Sequence, residues 1–175
     1  MGRRAGRAAT FVIAALLAGG VIAALWPPLR HPIVIARLAS ASAPPSLPVP
    51  VDGVRARQIA DTWGGPRSGG RKHKGVDIFA PRGTPVRSTT PGLVLRVGTL
   101  SLGGQIVAVL GPALHVHYYA HLDRFGAFRA GDVVQRGDVL GYVGDTGNAR
   151  GTPFHLHYGL YTAQGAVNPR PLLED

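Results

Sequence analysis

Thr152-Pro153-Phe154-His155-Leu156-His157-Tyr158-Gly159 is an apolar run that carries two histidines two residues apart. It reads as a strand, on which side chains at i and i+2 point to the same face. His155 and His157 therefore share one face and Leu156 takes the other. Two imidazoles held rigidly on one face suit a metal ion, or one metal and one reacting group. Moving outward, His115-Val-His-Tyr-Tyr-Ala-His121 shows the clearest alternation in the chain and places His117, Tyr119 and His121 on one face. Further short β-branched runs are bounded by Gly, Pro and Asp: Val76–Phe79, Pro85–Ser88, Gly92–Val97, Gln105–Leu110, Val116–His121, Val139–Val143 and Phe154–Leu160. Beyond Asp52 nothing has the period of a three-turn helix. The pattern predicts an all-β domain, mostly antiparallel, over residues 52–175.

Composition agrees with that class. The 175 residues include 25 Gly and 15 Pro, which favour short strands and turns over long helices. There is no cysteine, so thiol nucleophiles, disulfides and thiolate metal sites are excluded. The net charge is +10, and from Asp52 onward 14 basic residues stand against nine acids. That bias suits an anionic partner or a plain solvated surface. No helix-turn-helix, zinc-finger or ribonucleoprotein motif accompanies it, so no nucleic-acid partner is expected.

The amino-terminal part reads differently. Residues 1–7 carry three arginines, and residues 8–29 carry no charge. A segment of about 20 apolar residues suffices to span a bilayer. Trp26 suits the interface, Pro27-Pro28 end the helix, and the arginines favour a cytoplasmic start. The expectation is a single-pass membrane anchor, with the remainder of the chain exported. The alternative is a signal peptide, secreted after cleavage. Residues 30–51, rich in Pro, Ala and Ser from Ala39 on, read as a linker. Extended at about 3 Å per residue, Ala39–Val51 would reach on the order of 40 Å.

Two stretches within the domain echo each other. Gly83-Thr-Pro-Val86 leads to Gly92-Leu-Val-Leu-Arg-Val-Gly98, and Gly131-Asp-Val-Val134 leads to Gly137-Asp-Val-Leu-Gly-Tyr-Val-Gly144. Such halves resemble the lipoyl and biotinyl carrier fold. A carrier needs a lysine at a hairpin tip, and the only lysines, Lys72 and Lys74, do not lie between the paired half-strands.

The chemistry concentrates on histidine. His73-Lys-Gly-Val-Asp77 places a His and an Asp four residues apart across a glycine. Alone it reads as a loop with a turn-capping Asp. If His73, Asp77 and His157 bind one ion, two imidazoles and a carboxylate suit zinc with an open position, and hydrolysis follows from zinc acidifying water and polarising a carbonyl. The single glutamate is Glu174 at the chain end, so a His-Glu-x-x-His helix is absent. No serine sits in a Gly-x-Ser-x-Gly turn either. A base or oxyanion stabiliser has to come from elsewhere, and His121 and His155 have strand-fixed directions. His117 either lines the cleft or is a half-buried strand histidine. Asn148, in Asp145-Thr-Gly-Asn-Ala-Arg-Gly151, either borders a substrate groove or sits in a turn. Arg67 either contacts an anionic substrate or is simply exposed.

Together these motifs resemble the M23 family of zinc endopeptidases, the lysostaphin and LytM-like group. His73-x-x-x-Asp77 looks like its first metal motif, Tyr119-Ala-His121-Leu like its central histidine strand, and His155-Leu-His157 like its His-x-His motif. Ala80–Val86, Gly131–Asp138 and Gly147–Pro153 match as flanks, and the similarity covers roughly Gln58 to Pro171. Trp63 departs from the family's usual Phe. The resemblance implies a two-sheet β-groove related to the barrel-sandwich hybrids and one zinc ion on His73, Asp77 and His157. It also implies His121 and His155 as catalytic histidines. The implied reaction is hydrolysis of peptide bonds in bacterial peptidoglycan, in stem peptides or cross-bridges. The alternative is a non-catalytic relative that activates a cell-wall amidase; retention of all five residues speaks for an enzyme.

Overall fold

The structure, a computed structural model, describes residues 31–175. The expected basic segment 1–7 and anchor 8–29 lie outside the described residues. No helix among the described residues is long and apolar enough to cross a membrane.

A single α-helix, α1 (Pro32–Ser40), opens the described chain with proline in its first turn and Leu38 on its buried side. It packs on the turn Pro112–Leu114, where the Ala113 N–H donates to the Ala41 carbonyl at 2.9 Å. Strand β1 (Leu47–Pro48) then pairs in parallel with the terminal strand β11 (Leu173–Glu174). Leu47 and Val51 are each only 2% exposed. The linker expected over residues 30–51 is therefore corrected. Leu47 and Val51 enter the core although Ile33 stays exposed, and proline is tolerated in β1 because it is an edge strand.

Between these ends lie β2 (Val76–Phe79), β3 (Pro85–Arg87), β4 (Gly92–Leu100), β5 (Gly104–Leu110), β6 (Val116–Phe125), β7 (Val133–Val134), β8 (Val139–Val143), β9 (His155–Thr162) and β10 (Gly165–Val167). All their pairings are antiparallel. The main order is β10-β9-β6-β5-β4-β7, with β2 also on β9, β8 on β6 and β3 on β8. The implied two-sheet groove thus takes the form of one connected nine-stranded set. The internal echo has a structural counterpart: the first strand of each half pairs with the second strand of the other, β3 with β8 and β7 with β4.

Strand β6 joins the parts, and a bulge in it governs the site. Val107 of β5 faces Tyr119, but Gln105 faces Leu122, so β6 carries one extra residue. His121 sits there at φ 63°, in the left-handed region. Up to Ala120 the strand pairs with β9, and from Leu122 it pairs with β8. Alternation restarts across the bulge. His117 and Tyr119 point into the core at 1% and 0% exposure. Tyr118, Ala120 and His121 line the opposite, open face. The expectation that His117 and His121 share a face is corrected: the extra residue moves His121 to the other side.

The core lies beneath that face. It includes Val76 and Ile78 of β2, Leu156, Tyr158 and Leu160 of β9, and Val86, Leu140 and Val143 of the β3–β8 pair. On β9 the remaining positions, His155, His157 and Tyr161, look into the groove.

Candidate metal centre and active-site groove

Register brings the distant motifs together. In the β2–β9 ladder Asp77 stands directly opposite His157 and Phe79 opposite His155. Residues 80 apart in sequence thereby become cross-strand neighbours. His73 precedes β2 and is tied to the segment before it. Its N–H donates to the Gly65 carbonyl at 2.8 Å, and its carbonyl accepts from the Gly64 N–H at 2.9 Å. The turn can approach β9 only because residue 75 is glycine. A Cβ there would lie 2.5 Å from the Tyr158 carbonyl oxygen and 2.7 Å from Cε1 of His157.

Three donor atoms converge. Nε2 of His73 lies 2.8 Å from Nδ1 of His157 and 3.1 Å from Oδ1 of Asp77. Nδ1 of His157 lies 3.2 Å from the same oxygen. The Nδ1–H of His73 is directed to the Thr62 carbonyl at 2.8 Å, which leaves its Nε2 as the lone-pair nitrogen. Arg67 holds the second Asp77 oxygen, and the Asp77 N–H donates to the Thr62 hydroxyl at 3.1 Å. Burial pushes the Asp77 carboxyl up, but hydrogen bonds with His157 and His73 outweigh it and hold the group far below the usual carboxylate range. Burial pushes the His157 imidazole down, against the pull of Asp77. Two imidazoles and one ionised carboxylate, with ligand atoms all within 4.8 Å of one another, are a donor set that fits a divalent cation such as zinc.

His121 and His155 stand beside this cluster, with ring centroids 5.1 Å apart. Each directs Nδ1 to a backbone carbonyl, His121 to Thr146 and His155 to Pro153, both at 2.8 Å. That assigns the tautomer in which Nε2 is unprotonated and available. Burial pushes His121 down to about 4, more than the Thr146 carbonyl raises it, so the ring is neutral near pH 7. Thr146 is itself fixed, accepting from the Gln105 N–H at 2.9 Å and donating to the Leu122 carbonyl at 2.8 Å.

The groove around these residues has a volume of about 760 Å³. It brings together His73, Asp77, His157, His121, His155, Arg67 and Asn148. Asn148 sits on the rim in the turn Gly147–Ala149, where its N–H donates to the Leu102 carbonyl at 3.0 Å. Arg67 lines the groove, but its guanidinium is engaged by Asp77. His117 is not in the groove. It is buried behind β6, with Nδ1 at 2.8 Å from the Tyr158 hydroxyl and 3.0 Å from that of Thr89. Sequence reasoning missed the supporting carbonyls of Thr62, Thr146 and Pro153, which have no residue-type signal. It also missed Tyr118, whose ring meets His157 edge-on at 6.1 Å. Placing the bulge would have found it.

The model of peptidase family M23 matches residues 71–169. The chain is 41% identical over 112 residues to the L-Ala--D-Glu endopeptidase of Bacillus subtilis (strain 168), a match covering 59% of this chain and 34% of the relative. It is 34% identical over 111 residues to the glycyl-glycine endopeptidase ALE-1 of Staphylococcus capitis, covering 60% and 30%. It therefore spans about a third of the length of these relatives. A crystal structure of a zinc-containing peptidase from Vibrio cholerae superposes with a TM-score of 0.58 at 30% identity, covering 67% of this chain and 37% of that one. The family match falls on the β2–β9 ladder that holds the converging histidines and aspartate: this chain belongs to peptidase family M23.

Proposed function

We propose that the chain is a zinc-dependent endopeptidase that hydrolyses peptide bonds of bacterial peptidoglycan. The observation that carries this reading is the convergence of His73, Asp77 and His157 beside His121 and His155 in one groove. One zinc ion would be held by those three residues. When bound, it supplies a Lewis acid that polarises the scissile carbonyl and acidifies water.

The chain's own residues do the rest. Nε2 of His121 or His155 accepts the proton of the attacking water, because both rings carry their proton on Nδ1. The protonated ring then returns that proton to the departing amine. Until it passes that proton on, the one Nε2 that holds it can donate to the oxyanion that develops at the carbonyl. Thr146 and Pro153 hold the rings in place throughout by accepting from Nδ1. Arg67 and Thr62 orient Asp77, and the Thr62 carbonyl orients His73. Asn148 borders the path of the substrate backbone. The relatives' names, an L-Ala--D-Glu endopeptidase and a glycyl-glycine endopeptidase, support a peptide bond as the bond that is cut. The arginines and uncharged run at residues 1–29 support a place at the inner membrane, facing the cell-wall space.

The test incubates the zinc-loaded chain with purified crosslinked sacculi and follows muropeptides by mass spectrometry, with and without chelator. Chelator-sensitive release of shorter peptides is expected and identifies the bond. No release, from folded and zinc-loaded protein, would reject the reading in favour of a regulator of a wall amidase.

A further inference from the structure

The groove is charged on one side only. Arg67, Arg71, Lys72 and Lys74 line one wall, and among the described residues the only acid in the lining is Asp77. The opposite wall, which includes Leu102, Gly103, Asn148, Thr152 and Pro153, carries no charge. Arg67 and Asp77 neutralise each other. Arg71, Lys72 and Lys74 are exposed, and none takes part in an ion pair among the described residues. Arg71 is held against Ser68, donating to its carbonyl at 3.1 Å and its hydroxyl at 3.2 Å. The two lysines flank His73 in sequence, and both line the groove. The backbone that carries them is fixed by the His73 bonds to Gly64 and Gly65 and by the Pro66–Lys72 bridge.

We propose that this wall recognises a free carboxylate on the substrate peptide. The groove then takes acidic, stem-type peptides in preference to uncharged glycine bridges. The inference rests on the endopeptidase reading and narrows its substrate class. The chemistry is charge complementarity: three unpaired cations along one wall and none opposite attract an anionic side or terminal group and fix which way round the peptide lies. An uncharged polyglycine strand offers nothing to that wall. Each exposed contact is weak, so the three together favour the acid by roughly three- to thirtyfold, and salt diminishes the preference.

The test uses the full 175-residue chain, zinc-loaded, with two crosslinked muropeptides that differ only in having free or amidated carboxyl groups. The expected result is a KM for the free acid three- to thirtyfold below that of the carboxamide, with kcat nearly equal. The gap should shrink as salt rises from 0.05 to about 0.5 M and narrow markedly in the Lys72→Gln/Lys74→Gln double variant, which keeps only Arg71 of the three cations. Equal kcat/KM for acid and carboxamide would overturn the proposal, as would a gap that is undiminished in the double variant. If neither peptide is cut, the endopeptidase reading fails, and calorimetry of the same two peptides decides the charge inference on its own. Tighter, salt-sensitive binding of the acid sustains it; equal affinities reject it. Circular dichroism and zinc content establish that the double variant is folded.

Discussion

At the residue scale, the three converging ligands and the two neighbouring histidines separate by what their removal does. His157→Ala takes one imidazole from the cluster and should abolish both zinc retention and hydrolysis, read as zinc per chain by emission spectrometry beside muropeptide release. His121→Ala leaves all three ligands in place. Zinc should stay near one per chain while turnover falls by roughly 10²- to 10⁴-fold, the range of a general acid–base contribution. Full turnover in that variant would remove His121 from the proposed chemistry. Arg67 acts one step back, through Asp77. Arg67→Gln should weaken zinc binding by about 10- to 100-fold, as loss of a ligand's orienting partner does, measured by competition with a chromophoric chelator. Unchanged affinity would make the Arg67–Asp77 pair incidental.

At the element scale, the segment that looked like a tether is part of the fold. Leu47 and Val51 are each 2% exposed, and β1 completes a ladder with β11. A piece beginning at Asp52 therefore loses two fully buried side chains and leaves β11 unpaired. Burial of one such side chain contributes about 1.5–3 kcal/mol. A piece beginning at His31 should be more stable than one beginning at Asp52 by roughly 3–6 kcal/mol, from urea denaturation of both. Equal midpoints and slopes would show that residues 31–51 are dispensable. The bulge in β6 belongs to this scale too. A non-glycine residue at φ 63° costs of order 1–3 kcal/mol, and here the strain sits on the residue that must leave the core face to reach the groove. The alternation of residues 115–121 was legible, but the extra residue was not, because a bulge changes pairing without changing composition.

At the scale of the whole molecule, the behaviour in acid follows from histidines buried in the neutral form. Burial, and secondarily the charge of His115, pushes His117 down to about 4. The folded state thus binds this proton less readily than the unfolded chain, whose histidine titrates near 6.5. His117 has no effect on the pH dependence above that value. As pH falls from about 6.5 to 4 the unfolded chain takes up the proton first, and stability declines by up to about 1.4 kcal/mol per pH unit. His121, also pushed to about 4, adds in the same direction. In metal-free protein, urea unfolding at pH 7.5 and 5 should show this loss, and His117→Gln should reduce it. An identical loss in the variant would place the acid sensitivity elsewhere.

The sequence by itself determined the all-β class, most strand positions and the histidine and aspartate motifs. These depend on local alternation, on Gly and Pro punctuation and on side-chain chemistry, all of which are written residue by residue. The two echoing halves were visible for the same reason. Only the tertiary structure decided that Asp77 faces His157, that His121 turns away from His117, that Arg67 is engaged by Asp77 rather than open to substrate, and that residues 32–51 pack on the domain. Each of these depends on pairing register or on contacts between segments far apart in the chain. A one-residue change of register reverses which face a side chain occupies, and nothing in the local sequence records it.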